Sequence, residues 1–251
     1  MTSTRLRTLA VVAEACAFAF SGMRVEPLAL RLSFTQARNA AIDSPAPILD
    51  RFLARSDDGP KQYRALRRMD ASNQHFGAKA WMDAWTEKDA SGFRYEIASQ
   101  GGSGYIQRRV FLAALEGEEK MWREGEPKRA ELHPVNYEFK DRGSVDGLVT
   151  LGITPRRKDV LLVDGAIFVR SEDADLVRIE GKLSKNPSFW TRRVDIVRRY
   201  GRVGGAHVPL EIESVAQVFI AGRSTFRMTY EYETINGERV GNPQPRPEQK
   251  P

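Results

Sequence analysis

From Gln62 to Ile235 the chain alternates apolar and polar residues with a period of two, and this alternation limits what it can fold into. Successive side chains of a strand point to opposite faces, so Phe226, Met228, Tyr230 and Tyr232, interleaved with Arg227, Thr229, Glu231 and Glu233, give one apolar and one polar face. Phe93, Tyr95 and Ile97 repeat the pattern against Arg94, Glu96 and Ala98, as do Tyr137 and Phe139, and Val177, Ile179 and Leu183. Val145, Val149, Leu151 and Ile153 make a further strand, and residues 160–170 read as one strand kinked at a glycine or as two joined at Asp164-Gly165. Most linkers are too short for a crossover, so neighbouring strands are antiparallel, and the one-sided alternation excludes a parallel sheet buried on both faces. The expectation is about nine to eleven antiparallel strands, with Asn236-Gly237 as a closing turn.

Composition narrows the function. The 251 residues are 41% hydrophobic, enough for a sizeable core, and one large all-β domain accommodates them. A single cysteine excludes a disulfide framework and a multi-cysteine zinc site, and His75, His133 and His207 are too scattered for a histidine metal motif. No GxSxG or HExxH pattern supports a hydrolase, and acids such as Glu180 and Asp195 are those of a charged surface. The net charge of +6 raises nucleic acid or another anionic polymer as a partner, but the basic residues interleave with acids and no aromatic-basic recognition motif accompanies them. The chain is expected to be no enzyme and to carry no cofactor or metal.

Residues 1–22 read as a signal peptide: Arg5 and Arg7, then the apolar run Thr8 to Phe20, then Ala17-Phe18-Ala19 as a small-x-small cleavage pattern. The run is shorter than the about 20 residues a spanning helix needs. Glu14 inside it opposes insertion, and the competing reading is a buried N-terminal helix. Glu14 also argues against a lipid anchor at Cys16, and cleavage after Ala19 would remove that cysteine. The expected fate of the chain is export.

Residues 23–43 read as a linker. Ser44 caps a helix with Pro45 and Pro47 in its first turn and Ile48, Leu49, Phe52 and Leu53 as its apolar stripe. Gln100–Gly104 reads as a flexible hinge before a helix over Tyr105–Leu115, capped by Ser103, with Ile106, Val110, Ala113 and Ala114 on one stripe. Its GGSG run lacks the lysine and spacing of a phosphate loop. The charged tract Glu116–Arg129 reads as a solvated loop, and residues 238–251, rich in proline, as a disordered tail. This order predicts a mainly β (α+β) domain over 44–237, one curved antiparallel sheet with helices on its concave face and a cavity between the two apolar layers.

Asp175–Gly181 (DLVRIEG), Leu183-Ser184, Pro187-Ser188-Phe189-Trp190, the strand Val194–Tyr200, Gly204-Gly205, Val208-Pro209, Val218–Gly222, FRMTYEY over Phe226–Tyr232 and Ile235-Asn236-Gly237 follow one another in an order that resembles the bacterial LolA/LolB/LppX-like superfamily. Ile48–Ala54, Tyr63–Met69 and the segment 101–115 agree with it, so the resemblance spans roughly 44–237. It rests on order and spacing, not on a catalytic motif. It implies a half-open β-barrel with a helical lid, a periplasmic non-enzymatic carrier or chaperone for lipid or an acylated protein, monomeric, with partner proteins at the inner or outer membrane. A variant of the same reading is an envelope protein whose barrel is filled by its own side chains.

In such a cavity the chemistry is apolar burial. The candidate ligand-binding residues are Phe93, Tyr95, Ile97, Val177, Ile179, Val194, Ile196, Phe226, Met228 and Tyr230, each of which ordinary core packing would also explain. Trp81 and Trp85 share one face of a strand, at a rim or in packing. Arginine pairs at 67–68, 108–109, 156–157, 192–193 and 198–199 matter because adjacent strand residues point oppositely. One arginine of a strand pair then turns inward, where it would hold a phosphate or carboxylate, while the other is solvated.

Overall fold

The computed structural model describes residues 47–55, 59–124, 127–219 and 221–247, so the signal-peptide, linker and Cys16 readings lie outside the described residues. The alternating region resolves into antiparallel strands: β1 (Tyr63–Asn73), β2 (Ala78–Asp89), β3 (Gly92–Gly102), β4 (Tyr137–Val145), β5 (Leu148–Pro155), β6 (Val163–Arg170), β7 (Leu176–Leu183), β8 (Thr191–Val203), β9 (Ala206–Val218), β10 (Gly222–Ile235) and β11 (Glu238–Arg239). They form one 11-stranded sheet in the order β3-β2-β1-β10-β9-β8-β7-β6-β5-β4, with β11 on β10. The sheet is open, and its two edges are β3 and β4. Chain-consecutive strands pair except where β3 passes to β4 across the whole sheet, and that passage carries the helices.

Short helix α1 (Ile48–Leu53) precedes the sheet. The helical arm α2 starts as Gly104–Ile106, passes through a π-helical stretch Gln107–Leu112 and continues as Ala113–Glu124, before a 3₁₀ turn at Pro127–Ala130. Both helices lie on one face. Leu151, Ile167, Ile179, Arg198, Ile212, Met228, Met69 and Met82 form a register row from β5 to β2, one residue per strand. Every member is buried, and Arg198 is the one charged residue among them. Each apolar side chain so covered contributes about 1.5–3 kcal/mol relative to exposure. Phe52 of α1 packs over the β4–β7 half of this face, and Ile106, Val110, Phe111, Ala114 and Leu115 of α2 over the β1–β3, β9 and β10 part.

Four sequence readings are corrected here. The charged tract from Glu116 is helix through Glu124, because Ala114, Leu115, Glu118 and Met121 form a buried stripe in which a glutamate occupies an apolar position. Gln100–Gly102 is strand, not hinge: a Cβ on Gly101 would stand 2.6 Å from the Trp81 indole nitrogen, and Gly102, at φ +82°, would press on the Lys79 carbonyl, so both glycines serve close packing. The 160–170 segment does not turn at Asp164-Gly165 but continues as β6, with Gly165 facing Gly181 where the two strands approach too closely for a side chain. The cap of α1 is Pro47, which gives no side-chain bond, and Ser44 lies outside the described residues. Ser103 does cap α2, its hydroxyl accepting the Ile106 N–H at 3.5 Å.

The tail is also corrected through residue 247. Asn236 and Gly237, at φ 52° and 87°, make the hairpin turn to β11. Beyond it the chain lies on the face opposite the helices. Arg246 donates from its backbone N–H and Nε to Asp83 at 2.6 and 2.9 Å and from its guanidinium to Asp70 at 2.8 and 3.1 Å, and it stacks 4.9 Å over Trp81. Buried Asp83 and this clamp explain why a proline-rich segment is held.

Candidate functional site

The two faces of the sheet offer different sites. On the helix-covered face, Phe93, Ile179, Val194, Ile196, Phe226, Met228 and Tyr230 are buried, Tyr95 and Val177 are half-buried, and Ile97 is exposed. They do not converge on one place. Phe93, Phe226, Met228 and Tyr230 belong to the core beneath α2, with Tyr95 packed against it; Ile179 belongs to the core beneath α1; Val194 and Ile196 belong to a third cluster with Leu183, Ala216 and Val218. A cavity of about 20 Å³ between Ala71, Ile106, Val110 and Phe226 is too small for a ligand in this closed arrangement.

Two of the candidate residues serve an ion pair. Arg67 and Arg68 do point oppositely. Arg67 is fully buried and binds Glu118 of α2 through two bonds, 2.6 and 3.0 Å, with a third to the Tyr63 hydroxyl at 3.2 Å. Phe93 and Tyr230 stack against its guanidinium at 5.0 and 4.9 Å. Burial works against the Arg67 charge, but Glu118 and the tyrosines outweigh it and hold the guanidinium protonated, while burial pushes the Tyr63 and Tyr230 hydroxyls up, out of the titrating range. The inward arginine therefore holds a carboxylate, and the carboxylate belongs to the chain's own helix. Arg68, outward, binds Glu231 at 2.6 Å and Asp83 at 3.2 Å. The pair 198–199 divides likewise: Arg198 is buried and bonds Tyr200, and Arg199 reaches Glu211 and Glu213 at 2.9 and 3.0 Å.

On the opposite face a groove of about 770 Å³ crosses β2, β1, β10, β9 and β8. Two register rows floor it. One is Trp81, Asp70, Arg227, Glu213 and Val197; the other is Lys79, Ser72, Thr225, Val215 and Asp195. The volume is that of sites that enclose small ligands, about 300–1,000 Å³. Its acids are already neutralised: Asp70 by Arg246, Glu213 by Arg199, Asp195 by Arg193 at 2.6 Å. Ser72 and Thr225 bond one another at 2.8 Å. Lys79 has no ion pair among the described residues. Trp81 at one end and Val197 and Val215 at the other supply apolar surface, and Arg246 of the tail stacks on Trp81.

Of the ten sequence candidates Phe226 alone borders this groove. Trp81 was legible as a strand residue sharing a face with Trp85. Val197, Val215 and Thr225 were not, because nothing in the sequence shows that five strands set them in adjacent rows. Among the described residues no cluster of His, Cys, Asp and Glu fits a metal ion, and no helix is long and apolar enough to cross a membrane.

No family model matches the sequence, and no curated protein matches it. Among solved structures the chain is similar to a DUF1329 family protein from Desulfovibrio piger, at 13% identity and a TM-score of 0.34, over 68% of this chain and 84% of that one. A likeness of this strength carries no argument about function.

Proposed function

We propose that the protein is a non-enzymatic carrier of an amphipathic, lipid-like ligand in the cell envelope. The observation that carries this reading is the 770 Å³ groove, with apolar surface from Trp81, Val197 and Val215, charges paired within the chain, and the Lys79 ammonium at its edge. An apolar body in the groove gains about 25 cal/mol per Å² withdrawn from water, and an anionic head group beside Lys79 meets a charge that no carboxylate of the described residues neutralises. The export reading of residues 1–22 agrees with an envelope role.

Native mass spectrometry with a long-chain fatty acid tests the reading. The expected result is a one-to-one complex that Val215→Asp weakens by about tenfold or more, since a carboxylate placed in the apolar floor must be desolvated. Complex formation untouched by Val215→Asp but lost when Val110→Asp alters the layer beneath α2 would move the ligand to the helix side. No complex with any acyl ligand would overturn the carrier reading.

A further inference from the structure

Seven large apolar side chains are exposed among the described residues, and four of them, Phe76, Val135, Phe189 and Phe219, lie at one end of the sheet. Phe189 is 94% exposed, Phe219 63% and Phe76 62%. They sit on three turns, β7–β8, β9–β10 and β1–β2, which the strand order brings side by side. Backbone bonds join the turns: Phe219 N–H donates to the Trp190 carbonyl at 2.8 Å, and Gln74 N–H to the Arg223 carbonyl at 3.0 Å. Asn73 Nδ2 donates to the Ala221 carbonyl at 2.8 Å. The rings are thus mounted on a connected rim.

The charge on this rim is of one sign. Residues 71–79, 184–193, 216–219 and 221–227 contain six basic residues, Lys79, Lys185, Arg192, Arg193, Arg223 and Arg227, and no aspartate or glutamate. Arg193 and Arg227 turn back to acids of the strands. Lys79, Lys185, Arg192 and Arg223 are exposed and form no ion pair among the described residues, and Arg192 lies 4.3 Å over the ring of Phe219. Exposed rings alternate with unneutralised cations.

We propose that this rim docks on an anionic phospholipid bilayer, Phe189, Phe219 and Phe76 entering the interfacial layer while Lys79, Lys185, Arg192 and Arg223 meet lipid phosphates. Rings on an apolar tip and cations at head-group depth are what an interface accommodates, and each cation near an anionic surface contributes a roughly fivefold gain in partition. A folded protein is the poorer match: protein interfaces deplete lysine and bury a continuous apolar centre, whereas these rings stand on separate turns with cations between them. A fluid surface needs no such fit. The groove's Lys79 row starts two residues from the β1–β2 turn, so a ligand leaving the bilayer has a short path to it. The docking does not depend on the groove holding any ligand.

Sedimentation of the full chain with phosphatidylglycerol–phosphatidylethanolamine vesicles, against phosphatidylcholine vesicles, tests the proposal. The expected result is binding to the anionic vesicles that weakens as salt is raised. Lys185→Gln, Arg192→Gln and Arg223→Gln combined lower it about a hundredfold. Phe189→Ser with Phe219→Ser lowers it about tenfold or more, and Lys61→Gln with Arg239→Gln at the other end of the sheet leaves it unchanged. All variants keep residues 1–46, so any contribution from that segment is common to them. Equal binding to phosphatidylcholine, no binding to either vesicle, or binding that survives the glutamine triple or the serine pair overturns the proposal. Because empty vesicles are the probe, this failure is separate from a failure of the fatty-acid experiment.

Discussion

Two regions at opposite ends of the sheet, the turns around buried Asp175 and the rim of Phe76, Phe189 and Phe219, are built from similar residue types put to opposite uses. At the end formed by the β6–β7, β2–β3 and β10–β11 turns, a group of arginines meets carboxylates of the same chain. Buried Asp175 accepts from Arg202 at 2.7 and 2.9 Å and pairs with Arg55 at 2.5 Å and Arg170 at 3.8 Å. Arg51 and Arg55 of the α1 region also donate to carbonyls of the 171–174 turn, so these arginines fasten the first helix to the sheet. Arg64 pairs with Glu87 and Glu233 at 2.9 and 2.6 Å, and Arg94 with Asp89 at 2.8 Å, whose carboxyl the Arg94 and Ser91 bonds hold well below its usual range. At the other end Lys79, Lys185, Arg192 and Arg223 have no such acids, and phenylalanines stand between them. Paired charge holds the chain to itself. Unpaired charge beside exposed rings contributes little to folding and stays available for something outside the molecule.

The sharpest way to break this comparison is to unpair the first end. Asp175→Asn leaves Arg55, Arg202 and Arg170 without their shared anion. Removing one member of a buried pair costs about 3–5 kcal/mol, and Arg202, 40% exposed, keeps enough water to place this case near or just below the lower figure. Urea unfolding is expected to show that loss in the midpoint with an unchanged slope. A variant as stable as the parent would mean that these ion pairs do not fasten α1, and that the two ends differ in appearance only.

How far the sequence foretold this molecule depends on what each residue's neighbours in space do. Strand existence was legible because burial on one face imposes a period of two on the residues themselves. The oppositely directed arginines at 67–68 and 198–199 followed from the same rule. What the rule could not show was that Glu118 lies fifty-one positions from Arg67 yet meets it, so a helix containing a buried glutamate read as a solvated charged loop. Gly101 and Gly102 read as a hinge because glycine's local meaning is freedom, whereas their meaning here is set by Trp81 and Lys79 on the next strand. The groove was hidden for a related reason. Its floor is the polar side of the alternation, and Val197, Val215 and Thr225 become a site only when five strands set them in adjacent rows.

Acidification probes the paired end without mutation. His207, on β9 at the paired end, stacks 5.5 Å from Tyr200 and bonds the Leu176 carbonyl through Nε2 at 2.7 Å. Burial first, and then Arg55 and Arg202, hold its pKa below the ordinary 6.5, against the raising influence of the Leu176 carbonyl and Asp175. The unfolded chain therefore binds a proton that the folded chain refuses between those two values, and stability rises with pH across that window. Lowering the pH through 6.5 is expected to destabilise the protein, and Asp175, also held below its usual value, adds a loss in the same direction only in the lower carboxylate range. Urea midpoints at about pH 7.5 and about pH 5.5 measure it, with His207→Gln flattening the difference. Stability that does not fall, or falls equally in His207→Gln, would remove histidine from the account of the paired end.

The smallest expected effect is the most discriminating. Phe189→Ser removes a large apolar side chain, a change that costs several kcal/mol in a core. Yet Phe189 is 94% exposed, so its ring is hydrated in the folded and unfolded chain alike and the area withdrawn from water on folding is close to zero. No cavity is left behind. Its T-shaped contact with Trp190, centroids 5.6 Å apart, is the one ring partner it loses, and Trp190 retains its place against Leu183, Val194 and Val218. The unfolding midpoint is therefore expected to stay within about 0.5 kcal/mol of the parent, as for a surface substitution. A loss above about 1 kcal/mol would mean that the ring is covered in solution by another part of the chain or by a second copy, and the basic rim would then be as self-satisfied as the paired end. Unchanged stability joined to weakened vesicle binding assigns the ring to the lipid surface, because the fold gives it nothing else to do.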